Sequence, residues 1–147
     1  MMAKRILVPL DGAAPAEALI AAVADLARGA GATVRLLHVA PVTDNVVSAG
    51  RVVAYADQEA ARLESEALDY LRGVELGLDG VTVEHAVRFG EPVAEILKEA
   101  EAFGADLIAM FTTSAGFRRV VLGSVAEQVF RRAAPAVLLF RAGREAA

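Results

Sequence analysis

Ile6-Leu7-Val8-Pro9-Leu10-Asp11-Gly12 is the stretch on which the fold turns. Five apolar residues in a row, closed by an aspartate and a glycine, read as a strand buried on both faces; a half-exposed strand would alternate. Pro15 follows where a helix would begin, a position at which its missing N–H costs nothing. Leu19, Val23, Leu26 and Ala30 recur at helical spacing, and Gly29 and Gly31 supply the stop. Val34 to Val39 is a second apolar run. A strand, a helix and a second buried strand imply a parallel pair with a right-handed crossover.

The same alternation continues outward. Ala40 to Ala54 breaks the pattern, with Pro41, Asp44, Asn45, Ser48 and Gly50, and predicts a long loop without regular structure. A second helix is expected from about Asp57, with Leu63, Ala67, Leu71 and Val74 as its apolar stripe; Arg62 and Glu66 mark its solvated face. Val81 to Phe89 alternates, which predicts a half-exposed strand at a sheet edge. A third helix starts near Pro92, carries Val93, Ile96, Leu97, Ala100 and Phe103, and stops at Gly104. Asp106 to Phe111 is a fourth strand, and Thr112 to Val121 a polar loop. Ser124 opens a fourth helix with Val125, Val129 and Ala133 on one face, and Ala136 to Phe140 is the last strand. The expected fold is one α/β domain over residues 1–147, a doubly wound parallel sheet of five strands with helices on both faces.

Composition narrows the function. The chain is 147 residues long, enough for one real core, with a formal net charge of −4. Its densest basic groups are the pairs Arg118–Arg119 and Arg131–Arg132, so a nucleic-acid role is disfavoured. With no cysteine there is no disulfide, thiolate metal site or cysteine nucleophile. The run Ile6 to Leu10 is too short for a signal-peptide core, and no segment is long and apolar enough for a bilayer span. The expectation is a soluble cytoplasmic protein without a membrane partner. His38 and His85 lie on different strands without ligand spacing, so no metal site is expected. No nucleophile elbow, Walker loop or general acid–base pair is present, and no catalytic residue is assigned.

In a doubly wound sheet the ligand crevice lies beyond the carboxyl ends of the strands, where strand order reverses. With the first strand central, that crevice lies between the ends of the first and fourth strands. Asp11 then faces it, whereas Asp106 enters its strand from the opposite end. Gly123-Ser124 opens the fourth helix, whose free N–H groups suit a phosphate. Ser124-x-x-Glu127 is equally a capping box, and both readings stand.

Taken in order, several segments resemble the universal stress protein family. They are Ile6 to Gly12, Leu37-His38-Val39, Gly90-Glu91-Pro92 followed by Ile96, Asp106 to Met110, Leu122 to Glu127 and Ala136 to Leu139. The resemblance runs from about Lys4 to Arg141 and implies an adenine-nucleotide-binding-type sheet of order 3-2-1-4-5. It also implies a homodimer paired through the last strand, 136–141. By the same resemblance Asp11 would meet the adenine or ribose, Val39 would hold adenine through its backbone, and Gly123 and Ser124 would close a G-x-x-G-x9-G-[ST] phosphate loop. The candidate ligand set is thus Pro9, Asp11, Val39, Thr112, Ser114, Gly116, Gly123, Ser124 and Val125.

The front of that loop departs from the family pattern. Aligned from the strand, its two glycines fall on Phe111 and Ser114; aligned back from Gly123, they fall on Met110 and Thr113. Ala13 stands where a serine is common. Glycine serves such loops where φ is positive or the backbone approaches the ligand closely. Thr112, Thr113 and Ser114 bring hydroxyls instead, Gly116 lies nearby, and Arg118 and Arg119 are suited to phosphate. Two functions follow. One is a sensor of ATP or AMP, with Mg²⁺ entering only alongside ATP. The other is a nucleotide-free homodimer, its crevice closed by Phe111 and Phe117, that acts by binding a partner protein.

Overall fold

The elements in chain order are β1 (Arg5–Pro9), α1 (Glu17–Ala30), β2 (Thr33–Ala40), β3 (Val46–Ser48), β4 (Arg51–Val53), α2 (Tyr55–Glu75), β5 (Thr82–Phe89), α3 (Pro92–Phe103), β6 (Leu107–Thr112), α4 (Val125–Arg132) and β7 (Ala136–Arg141). They come from a computed structural model that describes residues 4–12, 17–42, 46–48, 51–53, 55–112 and 125–141. Five strands form one parallel sheet in the order β5-β2-β1-β6-β7. Leaving β3 and β4 aside, this is the expected 3-2-1-4-5, with β1 in the centre and β5 and β7 at the edges.

The segment expected to be an unstructured loop contains a two-stranded antiparallel ribbon. Val46 pairs with Val53, Val47 with Val52 and Ser48 with Arg51. Two valine pairs around Ala49-Gly50 are a short hairpin pattern of β-branched residues. Pro41, Asp44 and Asn45 outweighed it in a reading by composition.

Successive side chains of a strand point to opposite faces, and β1 uses this to seed two cores. Ile6 and Val8 join Leu19, Val23, Val34, Leu36 and Leu71, beneath α1 and α2. Leu7 joins Leu37, Val93, Ile96, Phe103, Ile108 and Val129, beneath α3 and α4. Each fully buried Leu or Ile contributes about 1.5–3 kcal/mol. The buried face of α1 is Leu19, Ile20, Val23, Ala24 and Ala27, and not the expected stripe through Leu26, which is 41% exposed. The alanines allow this helix to sit close to the sheet, so the smaller residues go inward and Leu26 turns out. None of the described helices is long and apolar enough to cross a membrane.

The amino end of the sheet is tied by Asp106. Its Oδ2 accepts from the backbone N–H groups of Lys4 and Arg5, each at 2.9 Å. This is a strand-entry role, as its position in the sequence implied.

Beside β5 the core becomes ionic. Glu99 on α3 is buried, and its carboxylate accepts from Arg35 on β2 and Arg88 on β5. Arg35 also pairs with Glu84, and Arg88 with Glu95. The Arg35 guanidinium lies 4.2 Å from the centre of the Phe103 ring. Burial works against ionisation of Glu99, but the hydrogen bonds from Arg88 and Arg35 outweigh it and hold its pKa below the usual range. A carboxylate lowered in this way stabilises the fold above its unfolded pKa, and that stability is lost as pH falls through the folded value. Glu99→Gln should therefore lower stability at pH 7 by about 2 kcal/mol, the scale of a charged hydrogen bond. Urea unfolding should show the deficit shrinking as pH falls below the carboxylate range. An equal deficit at pH 7 and pH 3 would contradict the ionic account.

Candidate functional site

β1 ends where it does because of Pro9. The Leu10 N–H donates to the Leu37 carbonyl at 2.8 Å, so the peptide groups of residues 8 and 10 turn toward β2. By the two-residue period, residue 9 turns toward β6. Proline has no N–H to offer there. The paired register between β1 and β6 is Ile6 with Leu107 and Leu7 with Ile108, and it stops short of Pro9. Register between β1 and β2 continues to Pro9 with Leu37. A cleft opens at this point, between the carboxyl ends of β1 and β6.

The cleft holds about 800 Å³, including the open space at its mouth. Among the described residues its walls are largely apolar: Leu37 and Val39 from β2, Ile96 from α3, Met110 and Phe111 from β6, with Pro9 at the base. Asp11 stands at one rim, and Val125 and Ala126 bring the first turn of α4 to another. An apolar slot with a few polar groups at its ends is the usual form of a small-molecule site.

Two helix N-termini approach this space. Pro92 of α3 lines the cleft, but the Glu91 carboxylate caps that helix, accepting from the N–H groups of Val93 at 3.0 Å and Ala94 at 2.9 Å. Those bonds hold the Glu91 pKa below the usual carboxylate range. At α4, Glu127 accepts from Arg131 one turn later, at 2.9 Å. The Ser124 half of the expected capping box lies outside the described residues.

Val39 offers backbone groups as well as a side chain. The Leu37 carbonyl faces β1, so two residues on the Val39 N–H and C=O face the same way. They lie beyond the last β1–β2 pair, on the edge that borders the cleft.

Four of the residues expected from the sequence thus meet at one place: Pro9, Asp11, Val39 and Val125. Thr112 ends β6 on the same side of the sheet. Ser114, Gly116, Gly123 and Ser124 lie outside the described residues, with Thr113, Phe117, Arg118 and Arg119. Phe111 stacks on Phe140 of β7, its register partner, with ring centres 6.0 Å apart and planes 26° from parallel. It forms a wall of the cleft beside this stack.

Sequence reading missed Tyr70, Ile96 and Met110 as site residues. Ile96 and Met110 look like ordinary core positions; α3 brings Ile96 to the cleft, and Met110 reaches it near the carboxyl end of β6. Tyr70 lies beside the buried stripe of α2, and no local motif marks it. Burial foremost, and then the Asp11 charge, raise the Tyr70 pKa, so the phenol stays neutral. His38 is a hydrogen-bonded strand residue: its Nδ1–H donates to the Leu10 carbonyl at 2.8 Å. His85 lies apart on β5, its Nε2 2.7 Å from Glu75 Oε1. Among the described residues no three metal-ligating side chains come together.

Comparison with known proteins agrees with this architecture. The family model described as the universal stress protein family matches residues 2–141. A curated universal stress protein of Methanothermobacter thermautotrophicus is 32% identical over 145 residues, covering 95% of this chain and 97% of the relative. The solved structure of hypothetical protein MJ0577 superposes with a TM-score of 0.79 at 27% identity, over 99% of this chain and 100% of that one. A universal stress protein solved in complex with cAMP shares the fold, with a TM-score of 0.68 at 17% identity over 96% of this chain and 98% of its own. Matched along almost its whole length in sequence and in fold, this chain belongs to the universal stress protein family.

Proposed function

We propose that the chain is a stress-response module that binds an adenine nucleotide, AMP or ATP, in the cleft between β1 and β6. The observation that carries this reading is one apolar slot with Asp11 at one rim and the start of α4 at another. A flat base fits between the aliphatic side chains of Val39 and Ile96. The Val39 N–H and C=O supply one donor and one acceptor, the pair that the N1 and N6 edge of adenine needs. Asp11 accepts from ribose hydroxyls. The first turn of α4, which lines the cleft, receives phosphate. Mg²⁺ accompanies ATP alone. The cAMP complex of a protein with the same fold is consistent with this reading, although at 17% identity it speaks for the fold.

The rival reading, a nucleotide-free dimer, needs Phe111 and Phe117 to close the slot; Phe117 lies outside the described residues, and Phe111 stacks on Phe140 at the wall. We read the module as a binder and not an enzyme, acting in the cytoplasm through what it binds.

A homodimer through β7 belongs to the same proposal. β7 is an edge strand, Ala136-Val137-Leu138-Leu139-Phe140, without a charge until Arg141. Leu139 is 37% exposed, and Phe130 on the neighbouring α4 is 55% exposed. An uncharged edge next to exposed apolar side chains invites a second strand.

Two measurements test this. Calorimetric titration of nucleotide-stripped protein should show micromolar binding of AMP or Mg-ATP, weakened about tenfold or more by Asp11→Ala, the scale of a lost charged hydrogen bond. No heat up to millimolar nucleotide would contradict the reading. Light scattering should give a dimer that Leu139→Lys converts to monomer; a monomeric parent protein would overturn the β7 interface.

A further inference from the structure

The cleft and the β7 edge share a wall. Met110 and Phe111, consecutive on β6, both line the cleft. Their register partners on β7 are Leu139 and Phe140, the last two apolar residues of the edge strand. Register partners point to the same face of a sheet. Exposed Leu139 therefore lies on the same face as buried Met110, and Phe140 stacks on Phe111 on the other. On each face, one pair of side chains spans the distance from cleft to edge. α4 makes a second bridge, since it packs against both β6 and β7. Val125 and Ala126 in its first turn line the cleft, and Phe130, one turn on, is exposed. The opposite edge has no such connection: no described residue of β5 lines the cleft.

We propose that the two sites are linked through the Phe111–Phe140 stack: a nucleotide in the cleft strengthens self-association through β7, and self-association tightens nucleotide binding. This rests on the nucleotide and β7 readings given above. A ligand restricts Met110 and Phe111 from one side, and a second chain restricts Leu139 and Phe140 from the other. Because the two rings stack, restricting one restricts its partner. The loss of side-chain freedom falls on whichever event comes first, and the second meets that much less opposition. Such linkage is reciprocal. With one site per chain, a gain of about fivefold in AMP affinity on dimerisation strengthens the fully occupied dimer by its square, about 25-fold.

Sedimentation of the parent protein across a dilution series, with and without AMP, is the test. Saturating AMP should lower the dimer dissociation constant about 25-fold, from a factor of about five per site, the lower end for linked sites. Calorimetry should find AMP bound about fivefold more weakly by the Leu139→Lys monomer than by the parent dimer. Parent protein diluted below its dimer dissociation constant should bind AMP as weakly as that variant, which separates the loss of the partner from any effect of the lysine. Phe140→Leu removes the stack and keeps an apolar edge. In that variant, monomer and dimer should bind AMP equally to within about twofold, whatever the absolute affinities. Equal AMP affinity in the parent monomer and dimer would overturn the linkage. The full factor persisting in Phe140→Leu would overturn the aromatic route. A protein that dimerises but binds no AMP at millimolar concentration would instead overturn the nucleotide reading, and one that binds AMP but stays monomeric would overturn the β7 interface; in either case the linkage falls with it.

Discussion

A single missing hydrogen-bond donor shapes the cleft end of this molecule. Pro9 sits in the central strand, at the position whose peptide turns toward β6. Central strands rarely tolerate proline because the ladder breaks there. Here the break falls at the carboxyl end, where strand order reverses and a crevice is favoured in any case. Earlier in β1, where the ladder must hold, Ile6, Leu7 and Val8 are fully buried. Stability is concentrated in the body of the sheet, and the strands are allowed to part only past it. The open Val39 edge, the slot between β1 and β6 and the Asp11 turn all follow from that parting.

The two edges of the sheet are finished in opposite ways. β5 carries Glu84, His85 and Arg88, and its inner face is closed by ion pairs that converge on buried Glu99. A charged edge resists pairing with another chain. β7 carries no such charge until Arg141. The asymmetry is what a protein needs if one edge is to stay solvated and the other to meet a partner. Glu99 also lets α3 pass from an apolar contact over β1 to a polar one over β5 without leaving a buried charge unpaired.

Much of this was legible in the sequence, for reasons that differ by residue. Short apolar runs closed by turn residues, such as Ile6 to Leu10 before Asp11-Gly12, read as strands covered on both sides, and their alternation with helical segments implied the doubly wound sheet. Alternation in Val81 to Phe89 marked an edge strand. Asp11 and Asp106 were separable because topology sends the two ends of a parallel sheet to different fates. The hairpin of Val46–Ser48 and Arg51–Val53 was missed because its strands are three residues long, too short for a period of two to stand out among turn formers. Tyr70 was missed because its role depends on where α2 crosses, and no spacing along the chain encodes that. Glu99 looked like one more charge on a helix, and its burial depends on two arginines from separate strands.

The central claim is that an adenine ring sits against the Val39 edge that the end of β1 leaves open. Backbone amide NMR during titration with AMP tests it most directly. The account predicts that the Val39 amide shifts most, with Asp11 and Ala126 following, while Thr33 and Arg35 at the amino end of the same sheet stay in place. Shifts confined to β7 or to the amino end, with Val39 unmoved, would contradict it.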